Sequence, residues 1–255
     1  MKKEVRKVVI AGNWKMNMTP SEAVKAVKET AELTAGKNGC DVVLCVPFVD
    51  IAVAAEAAKG TGVKIGAQNV HFEAKGAFTG ECSASMLLEA GAEYVIIGHS
   101  ERRQYFGETD ETVNKRIMAA LKYALKPIVC IGETLEERET GTTNAVLDKQ
   151  IKGAFAGVSA DDMLKITVAY EPVWAIGTGK TATPEMAQET HEFIRKTLTD
   201  LYGADVAEKI TVQYGGSMKD SNSKELTAQK DIDGGLIGGA ALKADSFTAL
   251  IANTL

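Results

Sequence analysis

The chain has 255 residues and a mass of 27.1 kDa, with 45% hydrophobic and 25% charged residues, the make-up of an ordinary globular fold with a sizeable core. Its net charge of −5 and sequence pI of about 5.4 exclude bulk attraction to nucleic acid or an anionic membrane surface, so an anionic ligand would need a local site. The basic start is followed only by the short apolar run Val8-Val9-Ile10-Ala11, too brief for a signal peptide, and no apolar span reaches membrane-helix length; a cytoplasmic protein is the expectation.

Eight short apolar runs alternate with helical patterns along the chain: Val8–Ala11, Asp41–Val46, Val63–Ala67, Tyr94–Ile97, Pro127–Ile131, Ile166–Ala169, Ile210–Gln213 and Gly235–Ile237. They are apolar nearly throughout instead of alternating, as parallel strands covered on both faces are. Between them, one helical pattern opens at Ser21-Glu22 and runs to about Ala35, and Thr109–Ala124 carries apolar residues at helical spacing. Pro184–Leu201 opens with proline after Thr183, a good cap and first-turn pair, and Asp245–Ala252 closes the chain. Eight strand-plus-helix units in this length predict an α/β fold, a (β/α)8 barrel in a single domain over residues 1–255. A doubly wound open sheet would call for G-x-G-x-x-G after the first strand, where Gly12-Asn13-Trp14-Lys15-Met16-Asn17 stands instead.

In such a barrel, chemistry sits on the loops after the strands' C-terminal ends. Those loops carry Asn13 and Lys15 after the first strand, Gln68-Asn69 after the third, and Gly98-His99-Ser100-Glu101 after the fourth. They carry Gly132-Glu133 after the fifth, Glu171 after the sixth, Gly215-Gly216-Ser217 after the seventh and Gly238-Gly239 after the eighth. One mouth thus collects a cation, an imidazole, carboxylates, an amide and two glycine-rich turns. Taken singly, each has an ordinary reading: Lys15 as a solvated cation, His99 as a helix-capping histidine, Glu101 and Glu133 as partners of nearby Lys and Arg.

Ala169–Lys180, AYEPVWAIGTGK, is the most informative stretch. Pro172 pushes the preceding Glu171 towards extended geometry, fixing it at a strand end. The glycines that follow read either as a plain loop or as a lid over a held base. GTGKT resembles the end of a phosphate-binding P-loop, but that motif needs glycine where Trp174 stands. His71, His99 and His191 show no metal-ligand spacing, so no metal is expected. Cys40, Cys45, Cys82 and Cys130 form no C-x-x-C pair and read as reduced thiols.

Taken together these residues resemble the triosephosphate isomerase family over essentially the whole chain. The matching segments are AGNWKMN at 11–17, AQNVHFEAKGAFTGE at 67–81, IIGHSERR at 96–103 and CIGE at 130–133, then AYEPVWAIGTGKTATP at 169–184, YGGS at 214–217 and GLIGGAAL at 235–242. The family gave the (β/α)8 barrel its common name, the TIM barrel. The resemblance implies cofactor-independent interconversion of dihydroxyacetone phosphate and D-glyceraldehyde 3-phosphate, in glycolysis and gluconeogenesis. It implies that Glu171 is the general base and that His99 polarises the carbonyl as a neutral imidazole, a tuning for which this family is itself a standard illustration. It assigns Lys15 to balancing substrate and enediolate charge, helped by the Asn13 amide, and main-chain donors at Gly177, Ser217, Gly238 and Gly239 to the phosphate. The lid would span roughly Val173 to Thr181, another feature for which the family is a standard illustration.

The loop from Gln68 to Glu81, in the family, docks into a second subunit with the residue matching Thr79 near the other chain's Asn13 and Lys15. The resemblance therefore implies a homodimer, against the alternative of a free loop. One departure is Ala241 after Ala240, where the family often has serine; a backbone phosphate site should lose little by it. Glu81–Ser85 carries no functional reading. A catalytically silent phosphate-binding barrel is the second reading, disfavoured by the intact Lys15, His99 and Glu171. A Schiff-base aldolase would need a lysine inside a later strand.

Overall fold

The structure is a computed structural model that describes residues 5–37, 39–177 and 181–255. Eight parallel strands close into a barrel in sequence order: β1 Val8–Asn13, β2 Cys40–Val46, β3 Val63–Ala67, β4 Tyr94–Ile97, β5 Lys126–Ile131, β6 Thr167–Tyr170, β7 Thr211–Tyr214 and β8 Gly234–Ile237. Each expected run is a strand, several of them displaced by a residue: Tyr170 and Tyr214 extend β6 and β7 towards the rim. The four expected helices are present as Pro20–Thr34, Asp110–Lys122, Pro184–Tyr202 and Ala244–Thr254. Thr183 accepts the Met186 N–H as the cap of the third.

The continuous apolar character of the strands has a plain cause. One face packs inside the barrel, where Val9, Ala11, Val43, Ile96, Ile128, Ala169 and Leu236 meet. The other lies under the helices, where Ile10, Leu44, Ile97, Val129, Val168 and Val212 pack. Cys45 and Cys130 belong to the interior cluster, and the four cysteines are free thiols. At the N-terminal end of the barrel a buried charge cluster ties the last strands together. Arg195 reaches Asp231 and Asp233 at 2.7 Å each, and Arg6 reaches Asp233 at 2.7 Å. Among the described residues no helix is long and apolar enough to cross a membrane.

The Glu81–Ser85 segment has a structural role. The Ser83 residue precedes the helix Ala84–Glu89 and bridges to His71, whose N–H donates to the Cys82 carbonyl at 2.8 Å. This closes the base of the long loop, while residues 73–81 lie exposed.

β5 and β6 come together most closely just above their paired residues. The Glu171 N–H donates to the Ile131 carbonyl at 2.7 Å, and a β-carbon on Gly132 would fall 1.7 Å from the Glu171 carbonyl oxygen. Gly132→Ala therefore has to push the two strands apart. We expect it to cost at least about 1–3 kcal/mol, the usual penalty of overpacking, and to lower the melting temperature accordingly; an unchanged melting temperature would show that the strands are not so tightly set.

Candidate active site

The strand ends at the C-terminal mouth hold their side chains by backbone geometry. Glu171 leaves β6 with only 2% of its surface exposed. Its Oε1 lies 2.9 Å from His99 Nε2, and its Oε2 accepts the Ser100 N–H at 3.0 Å. Gly215, just past β7, lets this happen, because a β-carbon there would sit 2.9 Å from Glu171 Cγ. His99 caps the short helix Ser100–Phe106, its Nδ1 accepting the Glu101 N–H at 3.2 Å. An Nδ1 that accepts a backbone N–H carries no proton, so the ring's proton lies on Nε2, facing Glu171.

Lys15 enters the site from a left-handed backbone, φ 55°. A lysine in that region is strained by about 1–3 kcal/mol unless its surroundings hold it. Two groups do. Asn13 Oδ1 accepts the Lys15 N–H at 3.0 Å, and Gln68 Nε2 donates to the Lys15 carbonyl at 2.9 Å while also donating to the Cys45 carbonyl at 3.0 Å. The Lys15 ammonium pairs with Glu101.

Charge and burial pull the central pair in opposite directions. Burial pushes the Glu171 carboxyl up, but the charge and hydrogen bond of His99, with the Ser100 N–H and Lys15, outweigh it and hold the carboxyl below its ordinary 4.5. For His99, burial works against the imidazolium, whereas the Glu171 carboxylate favours it and leaves the ring above its ordinary 6.5. The upward pull on His99 thus depends on where Glu171 points.

Asn13, Lys15, His99, Glu171, Gly177, Ser217, Gly238 and Gly239 all line one cleft of about 310 Å³. Sequence had nominated these eight from five different strand-end loops. Ser217 Oγ donates to the Ala175 carbonyl at 2.8 Å, tying the turn after β7 to the start of the expected lid. Within that lid Val173–Ala175 form a helical turn; Thr178, Gly179 and Lys180 lie outside the described residues.

The model of the family described as triosephosphate isomerase matches residues 8–254. A triosephosphate isomerase of Carboxydothermus hydrogenoformans is 54% identical over 98% of this chain and 100% of its own. One of Acetivibrio thermocellus is 57% identical over 95% and 96%. The chain belongs to the triosephosphate isomerase family. A crystal structure of triosephosphate isomerase from Bartonella henselae superposes with a TM-score of 0.88 at 38% identity, covering 97% of this chain and 98% of that one. The triosephosphate isomerase family is one of isomerases, and these matches lend no support to a silent barrel.

Sequence reasoning gave Glu101 and Glu133 as partners of nearby cations, and both are. Glu101 pairs with Lys15 inside the site itself. Glu133, fully buried, accepts from the Tyr170 hydroxyl at 3.0 Å and from Trp174 Nε1 at 2.8 Å, and pairs with Arg138 at 3.3 Å. It therefore anchors the first residues of the lid segment. The role of Gln68 in holding Lys15 had no signal beyond its place at a strand end. Ala241 is buried, its carbonyl accepts from Trp14 Nε1 at 3.1 Å, and its methyl lies 2.8 Å from where a β-carbon on Gly12 would sit. A larger side chain at position 241 would crowd β1.

The depressed Glu171 pKa contributes stability above its unfolded value near 4.5, and that contribution is lost as pH falls through the folded value. His99→Gln keeps the carboxyl buried but removes the largest downward influence. Carbon-13 NMR of the labelled Glu171 carboxyl should show its pKa rising in that variant; an unmoved value would assign the shift to the Ser100 N–H and Lys15.

Proposed function

We propose that this chain interconverts dihydroxyacetone phosphate and D-glyceraldehyde 3-phosphate by proton transfer through an enediolate, within one barrel domain and without a cofactor. The observation that carries the reading is the meeting of Glu171, His99 and Lys15 in one cleft with Gly177, Ser217, Gly238 and Gly239. The family match over residues 8–254 supports the same substrate.

The phosphate binds at the turns after β7 and β8, where main-chain N–H groups and Lys15 meet its charge. Glu171 releases the Ser100 N–H and His99 and turns its carboxylate to the carbon next to the carbonyl. Leaving His99 removes the larger part of what had raised the imidazole, and burial then favours the neutral ring. Neutral His99 donates its Nε2 proton as a hydrogen bond to the substrate oxygen on which charge develops. Lys15 and the Asn13 amide stabilise the same enediolate. The hydroxyl proton on the first carbon's oxygen passes to the second carbon's oxygen by way of His99 Nε2, which ends as it began, and Glu171 returns the carbon proton to the neighbouring carbon, so one carboxylate serves both directions. Closure of the Val173–Thr181 segment excludes water and protects the enediolate from losing phosphate.

We also propose a homodimer in the cytoplasm, acting in glycolysis and gluconeogenesis. Residues 73–81 stand exposed, and Met16 is 96% exposed. A second hollow of about 310 Å³ beside Lys15 is lined by Asn13, Met16, Phe48, Gln68 and Phe106. Apolar groups gathered on one surface mark a partner site, and a loop carrying Thr79 fits such a hollow.

Glu171→Asp tests the base. Its shortened reach should lower kcat about 100-fold or more while the fold and phosphate binding persist; wild-type turnover would remove Glu171 from that role. Sedimentation should give a particle of twice 27.1 kDa, and a particle of chain mass alone would contradict the dimer.

A further inference from the structure

The inward face of the barrel changes character at its N-terminal end. Side chains two apart along a strand share a face. Below Val9 on β1 and Ile128 on β5, which are interior residues, the next inward positions are Lys7 and Lys126; below Ala169 on β6 stands Thr167. A barrel end closed only for stability would place apolar residues here. These polar groups instead line a cavity of about 360 Å³ at the mouth opposite the active site. Its wall continues with Lys165 and Lys209, which precede β6 and β7, so four lysines line it and, among the described residues, no carboxylate does.

The carboxylates nearby are already engaged. Asp41, the inward residue at the foot of β2, is held by Lys7, Lys64 and the Tyr94 hydroxyl. One carboxylate therefore meets two ammonium groups. Lys126 Nζ lies 5.0 Å from the centre of the Tyr94 ring, and its pair with Glu93, at 3.3 Å, is solvent-exposed and so of little net strength. Lys165 pairs with Asp162 three residues before it on the outer surface, a link an incoming anion can outcompete. Lys126, Lys165 and Lys209 enter three neighbouring strands, β5, β6 and β7, set about 4.8 Å apart. Three ammonium groups lining one cavity can meet separate charges on one ligand. Thr167, 5% exposed, adds a short hydroxyl at the wall.

We propose that this N-terminal mouth is a second binding site, for a small multivalent anion carrying two or more phosphate or carboxylate groups on a compact frame. It concentrates positive charge in a chain whose net charge is −5, and it stands on residues separate from the isomerase cleft. Because the anion binds the folded barrel and bridges strands that join late in the sequence, it also stabilises the fold by mass action.

The test is calorimetric titration of the full chain with its active site filled by phosphoglycolohydroxamate, using tripolyphosphate, citrate and inorganic phosphate as probes. Tripolyphosphate should bind saturably and at least about tenfold more tightly than inorganic phosphate, since it can meet several of these lysines at once. The affinity should fall as salt rises. The double variant Lys126→Gln, Lys165→Gln should lose at least about tenfold in that affinity while kcat/KM without the anion stays at the wild-type value. Citrate binding as tightly as tripolyphosphate supports a site for either charged group; tripolyphosphate binding alone supports one for phosphates. Absence of saturable binding with the active site filled, or equal binding by a double variant whose kcat/KM is intact, overturns the proposal.

Discussion

The chemistry of this protein depends on how closely β5 and β6 approach one another at the rim. The Glu171 N–H is held by the Ile131 carbonyl, and the facing residue has to be glycine because the Glu171 carbonyl oxygen occupies the space a β-carbon would need. The same economy recurs on the other side, where Gly215 gives room to the Glu171 side chain. Glu171 is thus fixed at its backbone by two neighbouring strands and left with one freedom, the swing of its carboxylate. The base we propose, which serves two adjacent carbons, needs that combination: a rigid origin and a short mobile arm.

The electrostatics follow from the same placement. Glu171 is buried beside His99, and each changes the other's proton affinity. Lys15 faces Glu101 a short way off. Before substrate arrives, Glu171, His99, Lys15 and Glu101 therefore each have a partner within the protein, which limits the cost of burying them. In the proposed reaction, substrate exchanges these partners for its own carbonyl, carbon acid and phosphate. The left-handed Lys15 backbone, gripped by Asn13 and Gln68, keeps the ammonium aimed while the pairing changes. The two barrel mouths differ in kind. At the C-terminal one, backbone ends and loops supply the polar groups; at the N-terminal one, the strands' own inward side chains do.

Much of this was legible in the sequence because a closed parallel barrel gives its strands a simple signature. Runs such as Val42–Val46 and Ile128–Ile131 are apolar on both faces, so they stand out, and the residue after each run is automatically at the rim. That rule alone placed Asn13, His99, Glu171 and Ser217 around one opening. Strand ends were misjudged by a residue where an aromatic such as Tyr170 or Tyr214 carries the strand on. The buried cluster of Arg6, Arg195, Asp231 and Asp233 left no local trace, since its members lie up to 227 residues apart. Gln68 as a clamp and Glu133 as an anchor for Trp174 are likewise products of distant loops meeting. No pattern within a short window encodes such contacts.

The proposed reaction depends on Glu171 removing a carbon-bound proton. Proton NMR of dihydroxyacetone phosphate in heavy water reads this directly, because the hydrogen next to the carbonyl is replaced by deuterium only when a base takes it. With the wild-type protein that signal should disappear, and with Glu171→Gln it should persist. Equal rates of loss with both proteins would contradict the central claim.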